Sequence, residues 1–288
     1  MKKRVGKLTY LGIGLLALGA SSQGQAQAQS YDQSFLQASA GSQFYQQASS
    51  LGKGINTAGC FPTSLAYSIR YQKYIRSPNY SALQSPSADA TADNVQASEW
   101  MQFFFDSCGT SDTTGTSGKQ QLDCIRSFYE TSGYKKSWVY EIGPFSEANP
   151  PGQRHARAVT VDDIKSYLDL GYSLILDLAW IAKVPNSSQW MIDGGHSVAV
   201  VGYSYDPSWG ENKIILDVMD PARGYYGDAS SESFSKITME SRALHPEYDL
   251  TNASDDQAFV LTGFNYQPPF GNPIGLVNTL VVFAPEKL

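Results

Sequence analysis

The stretch from Asn56 to Leu65 constrains the fold most, because it places a cysteine at the start of a helix. Cys60 follows a glycine, and Pro62 suits the first turn of a helix, where a missing N–H costs nothing. Side chains at helical spacing predict a helix from Cys60 to about Ile75 with one buried face. The positive end of a helix dipole favours the thiolate, the nucleophilic form of cysteine. The alternative interpretation is a buried core cysteine or half of a disulfide.

The first 28 residues have the pattern of a secretory signal peptide. Four basic residues precede an apolar run, Leu8 to Ala20, that is short for a membrane span. The small residues Ala26 and Ala28 then match a signal-peptidase site, so we predict cleavage near Ala28 and a secreted or periplasmic protein. We interpret residues 29–50, rich in Gln, Ser and Ala, as an N-terminal arm, and residues 51–288 as one domain.

The charge of the chain argues against several classes of partner. The net charge is −6, and it becomes about −10 once the four basic residues of the leader are removed. A chain this acidic is poorly suited to general electrostatic binding of nucleic acid or anionic lipid. We therefore expect no nucleic-acid partner and no stable membrane insertion.

The three cysteines favour one pairing. Cys108 and Cys124 bracket a loop rich in Gly, Ser and Thr, and a disulfide between them would close about 15 residues, worth about 3 kcal/mol in the chain-entropy model. That pairing leaves Cys60 free, which in an oxidising compartment favours a working thiol. A bridge from Cys60 to either of the other two cysteines stays open as an alternative.

A histidine begins the most β-prone run of the chain. His196 follows Gly194 and Gly195, and the run after it ends at Gly202. A histidine at the start of a buried strand is rigidly aimed, as a general base must be, whereas a hydrogen-bonded structural histidine is the alternative. The other two histidines, His155 and His245, lie in polar or Pro-flanked segments without comparable framing.

A carboxylate follows the next predicted strand. The run that starts at Lys213 ends in Asp220 and Pro221, so Asp220 is placed to orient the imidazole of His196 and stabilise its charged form. Asp217 is the rival carboxylate, three residues earlier within the run. An Asp before a Pro is also a common turn former.

Other segments complete the predicted α+β pattern. Thr160 and Asp163 have the spacing of a helix cap, and glycine follows the helix at Gly171. The remaining expectations are strand-like runs at Tyr134–Ile142, Ser173–Leu178, Ala258–Phe264 and Gly275–Phe283, the last two as a C-terminal extension of the sheet, and loops at Ser146–Arg157 and around Trp180 and Trp190.

The three stretches G-C-F-P-T-S-L, G-G-H-S-V-A-V-V-G-Y and D-P-A-R-G together resemble the papain-like cysteine peptidase superfamily. The branch that is most similar contains the bacteriocin-leader-processing (double-glycine) peptidases and their secreted relatives, and the resemblance covers residues 54 to 225. It implies an N-terminal helical lobe carrying Cys60, packed on an antiparallel sheet carrying His196 and Asp220. It also implies that these residues are the nucleophile, the general base and the orienting carboxylate.

The chain departs from that family at two positions. Phe61 follows the cysteine where the family has glycine, and Gly54 stands where the family has the glutamine of the oxyanion hole. Asn56, four residues before the cysteine, offers an alternative amide. Losing one oxyanion donor costs about 100- to 1000-fold in rate.

The sequence therefore predicts a secreted thiol hydrolase, a cysteine peptidase that cleaves a protein or peptide substrate through an acyl-enzyme. Acyl transfer or deamidation by the same residues is one alternative, and a catalytically inactive papain-like binding module is another. No metal or cofactor is expected, because three histidines and a predicted disulfide provide no ligand cluster.

Overall fold

The chain folds into a layer of helices packed on one large sheet. The computed structural model describes residues 26–27, 58–73, 80, 82–84, 97–134, 137–143, 154–183, 186, 190–222, 235–243, 257–264 and 274–285. The helices in this part of the chain are α1 (Cys60–Tyr71), α2 (Ala97–Ser107), α3 (Gly118–Thr131) and α4 (Val161–Asp169), with a 3₁₀ helix at Pro207–Asn212.

The described strands form one sheet in which every pairing is antiparallel except that between β2 and β3. The predicted α+β class, with a large antiparallel sheet and a few helices, is confirmed. The strands are β1 (Ala26–Gln27), β2 (Ser137–Gly143), β3 (Arg154–Ala156), β4 (Ser173–Lys183), β5 (Trp190–Tyr205), β6 (Lys213–Met219), β7 (Ser235–Ala243), β8 (Gln257–Thr262) and β9 (Ile274–Pro285).

Six of these strands close into a ring. β4 pairs with both β5 and β9, and the strands from β5 to β9 pair each with the next. β1 extends the sheet from β5, and β2 and β3 extend it from β9. Strand β5, which carries His196, pairs with β4 along its first part and with β6 along its second, and the two pairings overlap at Ala199 and Val200.

Alternate residues of the central strands separate two hydrophobic cores. In β4, for example, Leu176 belongs to one core and its neighbour Ile175 to the other, and both are fully buried. We call the first the ring core; α4 packs its apolar side chains against it. Its strand members include Leu174, Leu176, Leu178, Val198, Val200, Ile214, Leu216, Val218, Ile237, Met239, Leu280 and Val282.

The second core, here the helix–sheet core, lies between α1, α2 and α3 and the sheet. Helix α1 is buried at every residue from Phe61 to Tyr71, so it is enclosed rather than amphipathic. Its predicted end near Ile75 lies outside the described residues. The members of this core from the helical layer are rich in aromatic rings and include Phe61, Tyr67, Trp100, Phe104, Phe128 and Tyr129.

Several elements differ from the sequence expectations. Strand β4 continues past Leu178 to Lys183, so Trp180 lies in a strand rather than a loop, and β3 forms inside the predicted loop Ser146–Arg157. Strand β9 lies between β4 and β2, within the sheet, because its length lets it pair with three strands. The predicted cap of α4 is confirmed: Thr160 and Asp163 form a capping box.

The N-terminal segment contributes one short pairing. Ala26 and Gln27 pair with Tyr205 and Ser204 at the end of β5, and they belong to the segment predicted as a leader. The predicted arm at residues 29–50 lies outside the described residues. Among the helices that are described, we find none with the length and apolar character needed to cross a membrane.

Candidate active site

Cys60 is the first residue of α1, at the one end of that helix which reaches solvent. The preceding Gly59 is the N-cap and has no side chain with which to bond the first N–H groups of the helix. Cys60 is partly exposed and its thiol is free, whereas Phe61 and the rest of α1 are buried. A free sulfur is thus presented at the N-terminus of an enclosed helix.

The other two cysteines are joined to each other. A disulfide links Cys108, just after α2, to Cys124 in α3, which is the pairing that the sequence favoured. The loop that it closes packs beside the residues before Cys60, since a Cβ built on Gly115 would lie 3.8 Å from the carbonyl oxygen of Ala58. The disulfide therefore connects α2 and α3 close to the segment that precedes the free thiol.

His196 lies inside β5, which begins at Trp190 and not at the histidine as predicted, and it meets Asp220, the residue directly after β6. The Nε2 atom of His196 lies 2.7 Å from Oδ1 of Asp220, and both side chains are buried. The same oxygen accepts a hydrogen bond from the backbone N–H of Ala222 at 2.9 Å. This turn, which passes through Pro221, fixes the carboxylate so that it faces the imidazole.

Cys60 also acts on His196, since its side chain is one of the groups that raise the pKa of the imidazole. Because Nε2 faces Asp220, Nδ1 is the ring nitrogen left for the sulfur. Burial alone would lower the pKa of His196, but the charge and hydrogen bond of Asp220, together with the contact with Cys60, outweigh it and raise the pKa to about 10. The ring therefore carries a proton at neutral pH.

The remaining predicted candidates lie elsewhere. Asp217, the rival carboxylate, is bonded to Lys236 of β7 at 2.6 Å. Asn56 and Gly54 lie outside the described residues, as does His245, while His155 lies on β3. The structure thus places His196 against Asp220, with Cys60 as a further influence on the imidazole.

Trp180 covers the histidine and was missed in the sequence analysis. Its ring stacks on that of His196, with centroids 6.2 Å apart and planes at 18°, and Phe264 meets it edge-on at 5.0 Å. A Cβ on Gly275 would lie 3.3 Å from the indole, so glycine makes room for it. The continuous apolar run from Leu178 to Ile181 was the available signal that the strand extends this far.

A buried carboxylate also lies close to the histidine. Asp177 of β4 accepts hydrogen bonds from the hydroxyls of Ser197 and Thr279 and from Gln121. Burial raises the pKa of Asp177, while these three donors and the charge of His196 oppose that rise. An aspartate inside an apolar strand was the sequence signal, because such a group must be bonded once it is buried.

Residues 39–242 match the model of the Peptidase_C39 like family, which is well over half of the chain. The chain belongs to that family. The match includes Cys60, His196 and Asp220, so the family expected from the three stretches is confirmed, and membership supports a peptidase-type hydrolase at the level of the family. The matched region ends in β7, before β8 and β9. No curated protein matches the chain.

Proposed function

We propose that this protein is a secreted cysteine peptidase with a papain-like arrangement, which cleaves amide bonds in a protein or peptide substrate through Cys60, His196 and Asp220. The observation that supports the proposal is the 2.7 Å contact between the buried imidazole of His196 and the buried carboxylate of Asp220, together with the free, partly exposed thiol that interacts with the same imidazole. Membership of the Peptidase_C39 like family supports the same reaction class. A nucleophile bonded to a base that is itself oriented by a third group is typical of nucleophilic catalysis.

The proposed reaction begins with an ion pair of thiolate and imidazolium. The sulfur of Cys60 attacks the amide carbonyl, and His196 then donates its Nδ1 proton to the departing amine nitrogen as the C–N bond breaks. The acyl group remains on sulfur as a thioester. His196 next takes a proton from water, whose oxygen attacks the thioester; the acid product leaves and the ion pair is restored. Asp220 holds the orientation and charge of the ring throughout.

The negative charge that develops on the carbonyl oxygen needs donors. The backbone N–H of Cys60 at the start of α1 is one, and we assign the side-chain amide of Asn56 as the second, in place of the family glutamine. An Asn56→Ala variant should then lose about 100- to 1000-fold in the rate of acylation. A variant as active as the wild type would remove Asn56 from the proposal.

The first test combines thiol labelling with peptide hydrolysis. Iodoacetamide labelling of the purified protein from pH 5 to 9, read by peptide mass spectrometry, should modify Cys60 rapidly below pH 7, and His196→Ala should slow the reaction. A library of quenched fluorescent peptides should be cleaved by the wild type and by the Asp217→Asn control, but not by Cys60→Ala. If Cys60 labels like an ordinary thiol whether or not His196 is present, the proposal is wrong.

The same assay separates hydrolysis from the alternative reactions. Added amines that capture the acyl group would indicate transfer, and release of ammonia from a glutamine-containing peptide would indicate deamidation. A reactive Cys60 that forms no acyl adduct with any peptide would leave the inactive binding module as the better interpretation.

Secretion is part of the proposal and has its own support and test. The Cys108–Cys124 disulfide fits an oxidising compartment. Expression in a bacterial host should yield an exported form whose N-terminal residue, determined by mass spectrometry, is Gln29. Retention of residues 1–28 on the folded protein would contradict it.

A further inference from the structure

We propose that Ser64 is a positioning residue, which sets the distance between the sulfur of Cys60 and the ring of His196. Ser64 lies one helical turn after Cys60 in α1, so both side chains project from the same face of that helix. Its hydroxyl donates a 3.1 Å hydrogen bond to the carbonyl oxygen of Ser197, the residue directly after His196. This inference deepens the proposed function and rests on it.

The acceptor of that hydrogen bond is itself fixed. The hydroxyl of Ser197 donates to Oδ1 of Asp177, whose other oxygen accepts from Thr279 at 3.1 Å. The strand register places these three residues in one row across β5, β4 and β9. Gln121 of α3 bonds the same carboxylate. The row therefore gives Ser64 a rigid anchor rather than a mobile loop.

The strand near His196 needs such a link, because its own pairing is incomplete there. The pairing between β5 and β6 extends only to Ala199 and Met219 within the described residues. On the other side, the register between β4 and β5 shifts between Ala179 and Ile181, just beyond the partner of Gly195. The hydrogen bond from α1 thus ties the strand beside His196 to the helix that carries the cysteine, at residues that are paired with β4 and not with β6.

Ser68 offers a matched control on the same helix. It lies one turn beyond Ser64, it is also buried, and its hydroxyl donates at 2.9 Å to the carbonyl oxygen of Ser64. Ser64→Ala and Ser68→Ala therefore each remove one buried hydroxyl, but only the first removes this link to β5. A difference between the two variants reports the link and not the loss of a buried hydroxyl.

The experiment measures the iodoacetamide rate at Cys60 from pH 5 to 9 in both variants and the wild type. A misplacement of about 1 Å between reacting groups can lower a rate about 100-fold. In Ser64→Ala, Cys60 should therefore react with iodoacetamide about 10- to 100-fold more slowly at pH 6 than in the wild type. Its rate should also follow the pH profile of an ordinary thiol. Ser68→Ala should keep the wild-type profile. Equal profiles for the two variants would overturn the proposal.

A second pair of variants keeps the test decisive if Ser64→Ala folds poorly. Ser64→Thr and Ser64→Val have nearly the same shape and differ by the hydroxyl. Thr should restore the wild-type pH profile and Val should not, while urea unfolding records the stability of each. On any cleaved peptide, kcat should fall for Val with KM nearly unchanged. Identical profiles for Thr and Val would overturn the proposal.

Failure of this inference is distinguishable from failure of the proposed function. A wild type that labels rapidly below pH 7 but cleaves no peptide contradicts the peptidase, while the Ser64 comparison still stands. A wild type that cleaves peptides, with Ser64→Ala and Ser68→Ala alike, contradicts the positioning role alone. A wild-type Cys60 that behaves as an ordinary thiol leaves no ion pair to position and overturns both.

Discussion

The two cores of this protein are built on different principles. The ring core is filled by aliphatic side chains from strands that close on themselves, with α4 packed against them. The helix–sheet core combines aromatic rings with buried polar side chains that bond across it, among them Ser64, Gln72, Gln121 and Asp177. The ring core is held mainly by strand pairing and apolar burial, with a bond from the hydroxyl of Tyr203 to Asp169 of α4, whereas the helix–sheet core has several such bonds between helices and sheet.

The difference follows from what each layer must fix. Backbone ladders already set the positions of strands in a closed ring, so apolar packing completes it. A helix that packs on a sheet has no backbone hydrogen bonds to the strands. Its distance from the sheet and its rotation about its own axis must therefore be set by side-chain contacts. Bonds of this kind run from Ser64 of α1 to Ser197 and from Gln72, the C-cap of α1, to Ser173 at 2.7 Å. The candidate site lies where the N-terminus of α1 meets strand β5.

The largest expected effect on the free energy of unfolding comes from Asp220→Asn, at the candidate site. Breaking a buried ion pair costs about 3–5 kcal/mol, because it leaves His196 without its charged partner. The pKa of His196 is raised from 6.5 to about 10, so the contribution of the pair is complete below pH 6.5 and is lost as the pH rises toward 10. Urea unfolding should show that the difference in free energy of unfolding between the wild type and the variant becomes smaller as the pH rises from 6.5 toward 10. A deficit that does not change with pH would contradict the pairing.

Next in size is Leu176→Ala in the ring core, compared with Ile175→Ala in the helix–sheet core. Both residues are fully buried neighbours on β4, and each truncation should cost about 2–5 kcal/mol in the free energy of unfolding. In the folded fraction, Leu176→Ala should keep the wild-type rate of Cys60 alkylation, whereas Ile175→Ala should lower it. Equal alkylation rates would show that the two cores do not differ in their control of α1.

The disulfide of the helical layer should contribute somewhat less. Replacing both Cys108 and Cys124 by serine removes a cross-link that closes a 16-residue separation, worth about 3 kcal/mol in the chain-entropy model. Urea unfolding of the wild type with and without reductant provides the matched control. The double variant should have the same free energy of unfolding as the reduced wild type. Reductant should lower the free energy of unfolding of the wild type more than that of the double variant, and equal effects would contradict the prediction.

Local features of the fold were predictable from the sequence. The start of α1 at Cys60, the capping box of Thr160 and Asp163, and the strand after His196 each depend on residues close together in the chain. Ring closure was not predictable, because it needs β4 to pair with β9, about one hundred residues later. Because the pairing of β9 with β4 is long-range, β9 was expected to be only a C-terminal extension of the sheet.

The candidate site divides in the same way. Cys60, His196 and Asp220 stand in recognisable stretches, and the structure places His196 against Asp220. Trp180, Asp177 and Ser64, which surround them, had no motif of their own. A serine in a helix and an aspartate in an apolar strand acquire a role only from their partners, and those partners lie on other elements.

The smallest expected effect is at a partly buried carboxylate, three residues before Asp220, whose partner is an exposed lysine. Asp217 pairs with Lys236 at 2.6 Å, and the lysine side chain is 62% exposed. Water and salt screen such a pair, so Asp217→Asn should cost less than about 1 kcal/mol, and about 1 M salt should remove the difference. Urea unfolding at low and high salt measures this. Because the pair does not touch the helix–sheet core, Cys60 alkylation should not change, and a slower rate would mean that the ring transmits surface changes to the site.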